Sequence, residues 1–330
     1  MVLYHPGPGS GAQLRMERLP DPTPGAGEIA LRVTRCAVCH TDLHIISGDL
    51  PPHKAPLVPG HQIVGIVERV GPGVTRFVPG DRVGIGWLYD ACGRCDACRS
   101  RHENLCAQAR FTGYDVDGGY AQFALANADF AYRIPGQFTD TDAAPLLCAG
   151  VIGYRALRLS GIEPGQRLGL FGFGASAHLV IQVARYWRCE TYVFTRSKEH
   201  RELGRALGAV WAGGAEDAAP ARVHAAIVFA PSGAVVVQAL GHLERGGTVA
   251  INAIHLDRIP AFDYDRLYWE RSLRSVSNIT RADAEEFLAL AGRIPVQTAA
   301  TLFPLAEANT ALAALRASRV TGAAVLDTEA

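Results

Sequence analysis

Eight cysteines lie at positions 36, 39, 92, 95, 98, 106, 148 and 189 of this 330-residue chain. Four of them, Cys92, Cys95, Cys98 and Cys106, fall within fifteen residues in the spacing C-x2-C-x2-C-x7-C. The two-residue gaps let a tight loop aim successive sulfurs inward, and the longer gap lets the chain turn back to supply the fourth. In a reducing compartment such crowding points to metal rather than to disulfides. A closed set of four thiolates suits zinc in a structural role, with no coordination position left for chemistry. An iron–sulfur cluster can use similar spacing, but no proline follows Cys106 and the rest of the chain lacks redox-cluster features. Zinc is the preferred reading.

Cys39, His61 and Cys148 are scattered, and spacing alone says little, because a lone Cys or His is more often packed or solvated than ligating. Their surroundings say more. Cys39-His40-Thr41-Asp42 is dense in polar, reactive side chains just after a strand pattern, and Gly60-His61 stands at the entrance to another. Cys148 interrupts the otherwise apolar Pro145–Gly150. Two sulfurs and one imidazole are a recognised ligand set for a catalytic zinc, which keeps its fourth position open for water or substrate.

Phe171-Gly172-Phe173-Gly174-Ala175-Ser176-Ala177 ends a strand pattern and opens a helical one. Read as G-x-G-x-x-A, it puts glycine where the turn is tight and where backbone must approach a pyrophosphate, with alanine at the helix-packing position. The helix start then offers free N–H groups to phosphate. The tip of the next strand reads Thr195-Arg196-Ser197-Lys198, with no carboxylate to bind a ribose 2′-hydroxyl. Arg196 can pair with a 2′-phosphate, so NADP is favoured over NAD. The plainer reading is a solvated turn in which Ser197 caps the following helix.

These groups need a scaffold, and the hydrophobic pattern supplies two. Up to about Gly150 the chain is rich in Gly and Pro, with short apolar runs such as Ile29–Thr34 and Ile63–Glu68 between turn signals, which predicts a mostly β domain. From Arg167 onward strands (Arg167–Phe171, Glu190–Thr195, Ala225–Phe229, Thr248–Asn252) alternate with helical runs (Ala177–Tyr186, Lys198–Leu207). That alternation predicts a parallel sheet covered by helices on both faces. Leu305–Arg316 reads as a helix and Gly322–Asp327 as a terminal strand.

Composition narrows the functional classes. Lys plus Arg and Asp plus Glu are 32 each, so a neutral chain offers no diffuse field to nucleic acid or an anionic membrane. With 48% hydrophobic and 19% charged residues the chain is of ordinary globular composition. No run of the ~18 apolar residues that a membrane helix needs is present, and the N-terminal stretch does not read as a secretory signal. The expectation is a cytoplasmic protein without nucleic-acid or membrane partners.

Taken in order, Cys39-His40-Thr41-Asp42, Gly60-His61, the four-cysteine lobe, Leu147-Cys148-Ala149-Gly150 and Gly172-x-Gly174-x-x-Ala177 resemble the zinc-dependent alcohol dehydrogenases of the medium-chain dehydrogenase/reductase family, over essentially the whole chain. The resemblance implies an α/β chain: a GroES-like, β-rich catalytic domain over 1–150, completed by 291–330, and a Rossmann doubly wound parallel-sheet coenzyme domain over 151–290. It implies two zinc ions per chain. One is catalytic, in an interdomain cleft, held by Cys39, His61 and Cys148 with Gln62 beside it. The other is structural, in the lobe of Cys92, Cys95, Cys98 and Cys106.

The implied reaction interconverts small primary alcohols and aldehydes by hydride transfer to or from NAD(P). Thr41 matches the hydroxyl that relays the substrate proton, His44 the base that hands it to solvent, and Asp42 a residue that orients a zinc ligand. Coenzyme contacts are expected from His40, Gly172, Phe173, Gly174, Ala175, Ser176, Thr195, Arg196, Ser197 and Asn252. Thr41 and Trp87 are expected to line the substrate pocket, the indole narrowing it. An NADPH-preferring aldehyde reductase is a variant of the same reading. Intact Cys39, Thr41, His61 and Cys148 argue against a non-catalytic zinc-binding structural protein. A homodimer or homotetramer is implied, with Leu273–Ser277 as a candidate edge strand for a partner copy.

Three positions depart from the family pattern. Gln62 replaces the usual Glu after the ligand histidine, which removes a negative charge near the metal and should sharpen its electrophilicity. Ile152 stands where Thr is usual. Ala323 stands where relatives commonly direct an Arg to the pyrophosphate, a contact for which His40 is the substitute.

Overall fold

In chain order the strands are β1 (Glu28–Val38), β2 (Gln62–Val70), β3 (Arg82–Ile85), β4 (Leu88–Asp90), β5 (Arg110–Phe111), β6 (Phe123–Asn127), β7 (Ala131–Arg133), β8 (Arg167–Phe171), β9 (Glu190–Phe194), β10 (Trp211–Gly213), β11 (Val223–Val228), β12 (Leu243–Ile251), β13 (Ser272–Ser275), β14 (Ala300–Pro304) and β15 (Ala323–Asp327). The computed structural model describes residues 1–7, 13–317, 319–320 and 322–330. It divides into two units. The first gathers Met1–Cys148, Asn278–Gly292 and Gln297–Ala330, the second Ala149–Ser277 and Arg293–Val296. No helix is long and apolar enough to cross a membrane among the described residues.

The first unit is built on β1, which is buried along nearly its whole length because both its edges are paired. One edge runs antiparallel to β2, and the other is shared between β6 and β15. The sheet order is β14-β15-β1-β2-β3-β7. Ile29, Leu31, Val33, Ile63, Val67, Val83 and Ile85 form its core together with Ala324 and Leu326 from the returning chain. The C-terminal segment therefore supplies sheet as well as covering helix.

The sequence expectation assigned 278–290 to the coenzyme domain, and the structure corrects this. The helix Arg281–Ala291 belongs to the first unit. Its first N–H donates to the buried carboxylate of Glu103 at 2.9 Å, an acidic group well placed against the positive end of a helix. Arg281 also lies over the Phe130 ring at 5.0 Å. The first boundary falls after Cys148 rather than after residue 150. A second correction concerns Leu305–Arg316, where Leu305–Glu307 forms a 3-10 turn and the α-helix begins only at Ala308.

In the second unit the strand order is β10-β9-β8-β11-β12-β13, with every neighbouring pair parallel. This is the doubly wound order 3-2-1-4-5-6. β8 and β11 are central and mostly buried, as a sheet covered on both faces requires. β12 starts earlier than the expected Thr248. Leu243 pairs with Val223, the register then slips, and pairing resumes at Thr248 with Ala225, so residues 244–247 bulge out of the ladder.

Two histidines of this unit predict its acid sensitivity. His178 is 6% exposed, and neither ring nitrogen has a well-formed hydrogen bond. Burial pushes its pKa below the ordinary 6.5, the nearby backbone of Gly174 and Ala175 offsetting only part. Burial pushes His242 down in the same way. Groups held neutral in the folded state must take up protons on unfolding, so stability is lost as pH falls below about 6.5 towards the depressed folded values. Thermal melts between pH 5 and 8 should show this decline, and His178→Leu should flatten it while keeping the fold.

Candidate active site and metal centres

Cys39 follows directly on β1 and caps the helix His40–Ser47. Its sulfur accepts from the Thr41 N–H at 3.3 Å, and Asp42 in turn accepts from the Cys39 N–H at 2.9 Å. This reciprocal box fixes the sulfur at the positive end of the helix, where a thiolate is stabilised. His61 is fully buried just before β2. Gly60 precedes it with φ +96°, and a Cβ there would sit 2.3 Å from the Tyr120 ring, so only glycine turns the chain at this point. Backbone bonds from Gly118, Gly119 and Tyr120 to Val58, Gly60 and Pro59 hold the segment from the other side.

Cys148 arrives from far along the chain at the end of the turn Ala144–Leu147. Gly84 on β3 makes room for the preceding Leu147: a side chain there would meet it at 2.4 Å. The sequence-distant Cys39, His61 and Cys148 are thereby brought together, with one ligand atom from each lying within 4.8 Å of the others. Cys39 Sγ is 3.3 Å from His61 Nε2, and His61 Nδ1 faces Asp42 Oδ1 at 3.2 Å. The imidazole is thus oriented by a buried carboxylate on one side and turned towards the sulfurs on the other, the arrangement of a ligating histidine.

The electrostatics fit a cation. Contact with Cys148 holds the Cys39 thiol well below its usual range, and His61 and the Thr41 side chain help it outweigh burial. Cys148, in return, is pushed up by Cys39 and by burial. Burial disfavours a charged His61, but the Cys39 sulfur and the Asp42 carboxylate outweigh it and raise the imidazole to about 10. Soft sulfur, imidazole and a nearby carboxylate in a buried pocket are donors that suit zinc.

The second cluster is the four-cysteine lobe, whose sulfurs also lie within 4.8 Å of one another. Backbone N–H groups already point at them: Cys95 donates to Cys92 Sγ at 3.4 Å, and Cys92 and Gln108 donate to Cys106 Sγ at 3.5 and 3.4 Å. The amides of Arg94 and Cys95 draw the Cys92 thiol down to about 6. Beyond the short helix Asp96–Arg99 and the turn Glu103–Leu105 the lobe has little regular structure of its own. All four cysteines are free of disulfides.

In the second unit, β8 ends at Phe171 and the helix Ala175–Tyr186 begins four residues later. Gly172 has φ +91° and packs so closely on Ala230 that a Cβ would lie 2.9 Å from its nitrogen. A Cβ at Gly174 would meet nothing within 4 Å, so the approach to the helix start is open, as a phosphate cradle requires. Ala177 is fully buried at the packing position.

The alcohol dehydrogenase GroES-like domain model matches residues 25–136. The probable alcohol dehydrogenase AdhA of Mycobacterium tuberculosis is 46% identical, with 97% of this chain and 94% of that protein covered. An alcohol dehydrogenase of Geobacillus stearothermophilus is 37% identical, covering 95% of this chain and 96% of the relative. The chain belongs to the zinc-type medium-chain alcohol dehydrogenase family. A cobalt- and zinc-bound thermostable alcohol dehydrogenase from Pyrobaculum aerophilum superimposes with a TM-score of 0.88 at 25% identity, covering 99% of both chains.

Within this alcohol dehydrogenase fold the remaining expected residues take these places. Thr41 and His44 lie three apart on the helix His40–Ser47 and so share a face. His44 Nδ1 is 3.1 Å from Asp49 Oδ2. His40 is exposed at the helix start, and Gln62 is buried on β2 opposite Ala37. Thr195 gives its N–H to Gly213, and its carbonyl accepts from Arg201. The Ser197 hydroxyl is spent on the helix it caps, accepting from the His200 N–H and donating to Glu199. Arg196 is exposed and has no carboxylate partner among the described residues. Asn252 directly follows β12, Ile152 lies in the helix Ala149–Ser160, and Ala323 is buried on β15.

Trp87 is 8% exposed, with its ring 4.9 Å from His61, edge to face. Phe111 stacks on the indole at 5.2 Å and Tyr114 leans on it at 5.8 Å. These two aromatics, and Tyr120 behind Gly60, do not stand out in the sequence. Tyr114 and Tyr120 each follow a glycine (Gly113, Gly119) in an irregular stretch, which is the one local sign that they had to fit a tight space.

Proposed function

We propose that the chain is a zinc-dependent alcohol dehydrogenase that interconverts small primary alcohols and aldehydes, with NADP preferred over NAD. The observation that carries this reading is the convergence of Cys39, His61 and Cys148, with Asp42 behind the imidazole. Those three residues would hold a zinc ion, which would supply a Lewis acid to lower the pKa of an alcohol hydroxyl, with a nicotinamide coenzyme as the hydride acceptor. Asp42 presents its carboxylate to Nδ1 of His61 at 3.2 Å while Nε2 faces the ligand cluster. Thr41 takes the substrate hydroxyl's proton through its own hydroxyl, and His44, whose Nδ1 is held by Asp49, passes a proton to solvent at Nε2. The cluster Cys92, Cys95, Cys98 and Cys106 would hold a second zinc, closing its lobe.

Trp87, backed by Phe111 and Tyr114, sets the pocket's width. The test is coenzyme reduction followed across alcohols of increasing bulk, with NAD and NADP in parallel, before and after chelation. Rates should be highest with small primary alcohols and vanish on chelation; rates rising with bulky secondary alcohols contradict the narrow pocket. Trp87→Ala should shift kcat/KM towards branched substrates by roughly tenfold, one or two methylenes' worth of pocket discrimination.

Arg196 carries the coenzyme preference, since Ser197 is occupied by its cap. Arg196→Gln should lower kcat/KM with NADP by about 10- to 100-fold, the range for losing a charge-assisted contact to phosphate, and leave NAD nearly unchanged. Saturation curves with both coenzymes decide it; an equal loss with both assigns Arg196 no role in discrimination.

A further inference from the structure

At the end of the parallel sheet opposite the Gly172–Gly174 turn, the second unit holds a cavity of about 490 Å³ lined by Arg222, His224, Glu244, Arg245, Trp269 and Arg271. The bulge at residues 244–247 builds one wall, pinned by a bond from the Gly246 N–H to the Trp269 carbonyl at 2.8 Å. Arg222 and Arg271 both reach the same acceptor, the Leu243 carbonyl, at 3.1 and 2.9 Å. Two guanidinium groups are thus held within hydrogen-bond reach of one oxygen. A third, Arg245, lies over the Trp269 ring at 3.7 Å with no carboxylate partner among the described residues.

Glu244 is the one carboxylate among the lining residues, and it is already engaged by Arg167 at 3.0 Å. The pKa of Arg271 is pushed down by burial and then by Arg222, with Glu244 offsetting part of this and Arg245 adding to it. His224 adds a donor. Its Nδ1 accepts from the Arg167 N–H at 3.1 Å, which leaves the ring proton on Nε2. Converging planar cations suit an oxyanion of high charge. Arg271 already donates to the Glu244, Arg266 and Leu243 carbonyls and so contributes charge, while the donors for a ligand come from Arg222, Arg245 and His224.

We propose that this pocket binds a small phosphate-bearing anion, at a site separate from the coenzyme turn at the other end of the sheet. Arg222, Arg245 and Arg271 supply the charge, and Trp269 holds Arg245 in place. The anion relieves the part of the repulsion among these arginines that Glu244 does not offset.

The test is calorimetric titration of inorganic pyrophosphate into the zinc-loaded enzyme saturated with coenzyme, so that the dinucleotide crevice is filled, at low ionic strength. One pyrophosphate per chain should bind. Arg245→Gln, which removes a guanidinium held by a ring rather than by a carboxylate, should weaken it about tenfold and leave kcat unchanged; Arg222→Gln with Arg245→Gln should weaken it further. Parallel titrations with inorganic phosphate and adenosine monophosphate separate a free oxyanion, bound equally in both forms, from a nucleotide, bound more tightly with the base attached; either result supports the site. No binding, or binding that both variants leave unchanged, overturns it. So does an Arg245→Gln chain that changes its assembly mass while holding pyrophosphate as before, since the arginines then serve a second copy.

Discussion

Cys148→Ser will leave the chain folded with one zinc instead of two, and kcat/KM for alcohol oxidation will fall by on the order of a thousandfold. The size follows from what a Lewis acid contributes, several kcal/mol of stabilisation at the reacting oxygen, at about 1.4 kcal/mol per tenfold. Serine nearly preserves the side chain's volume, so the packing around it has little reason to change. The lost ligand is one of three whose donor atoms lie within 4.8 Å of one another. Metal analysis and steady-state kinetics on the same preparation check both halves. A variant that keeps two zinc ions, or keeps its rate with one, separates this trio from the chemistry.

The lobe should behave in the opposite way. Cys95→Ser will also remove one zinc, but the main loss will be stability. The lobe's backbone bonds between Cys95 and Ala109 are all local turns, so the metal supplies most of what ties the four cysteines together, and structural zinc contributes roughly 10 kcal/mol or more in small zinc-folded peptides. Unravelling the lobe also frees Glu103 from the start of the helix Arg281–Ala291 and Asn104 from Asn278. A drop in Tm of about 10 °C or more is expected, with rapid tryptic cleavage at Arg94, Arg99 or Arg101, while the active-site zinc stays bound. An unchanged Tm in a chain that has lost this zinc would show that the lobe needs no metal.

Much of this was legible locally. Cys39 and Asp42 stand out in sequence as part of a dense polar run just after a strand pattern, and the structure joins them in a capping box that spans only four residues. The strand–turn–helix at Phe171–Ala177 is equally local, and the alternation from Arg167 onward gives the parallel sheet its order of parts. The motif order placed Cys148 with Cys39 and His61, but the close packing of its neighbour Leu147 against Gly84, a contact between distant segments, had no local sign.

What could not be read depends on contacts between distant residues. The helix Arg281–Ala291 joins the first unit because of Glu103, 178 residues earlier, and no periodicity announces that. The arrangement of Phe111 and Tyr114 around Trp87 is of the same kind. The bulge at 244–247 was hidden because its two glycines read as a loop before a strand that had in fact already started at Leu243. Ser197 shows how one residue supports two readings: its hydroxyl could face a phosphate or a backbone N–H, and here it takes the N–H of His200.

The central claim is that Cys39, His61 and Cys148 jointly grip one zinc ion. Diffraction data collected on either side of the zinc absorption edge, from crystals of the enzyme purified without chelator, test it most directly. The account predicts two anomalous peaks per chain, one among the four lobe sulfurs and one at about 2.0–2.3 Å from the Cys39 and Cys148 sulfurs and His61 Nε2. A single peak, confined to the lobe, would contradict it.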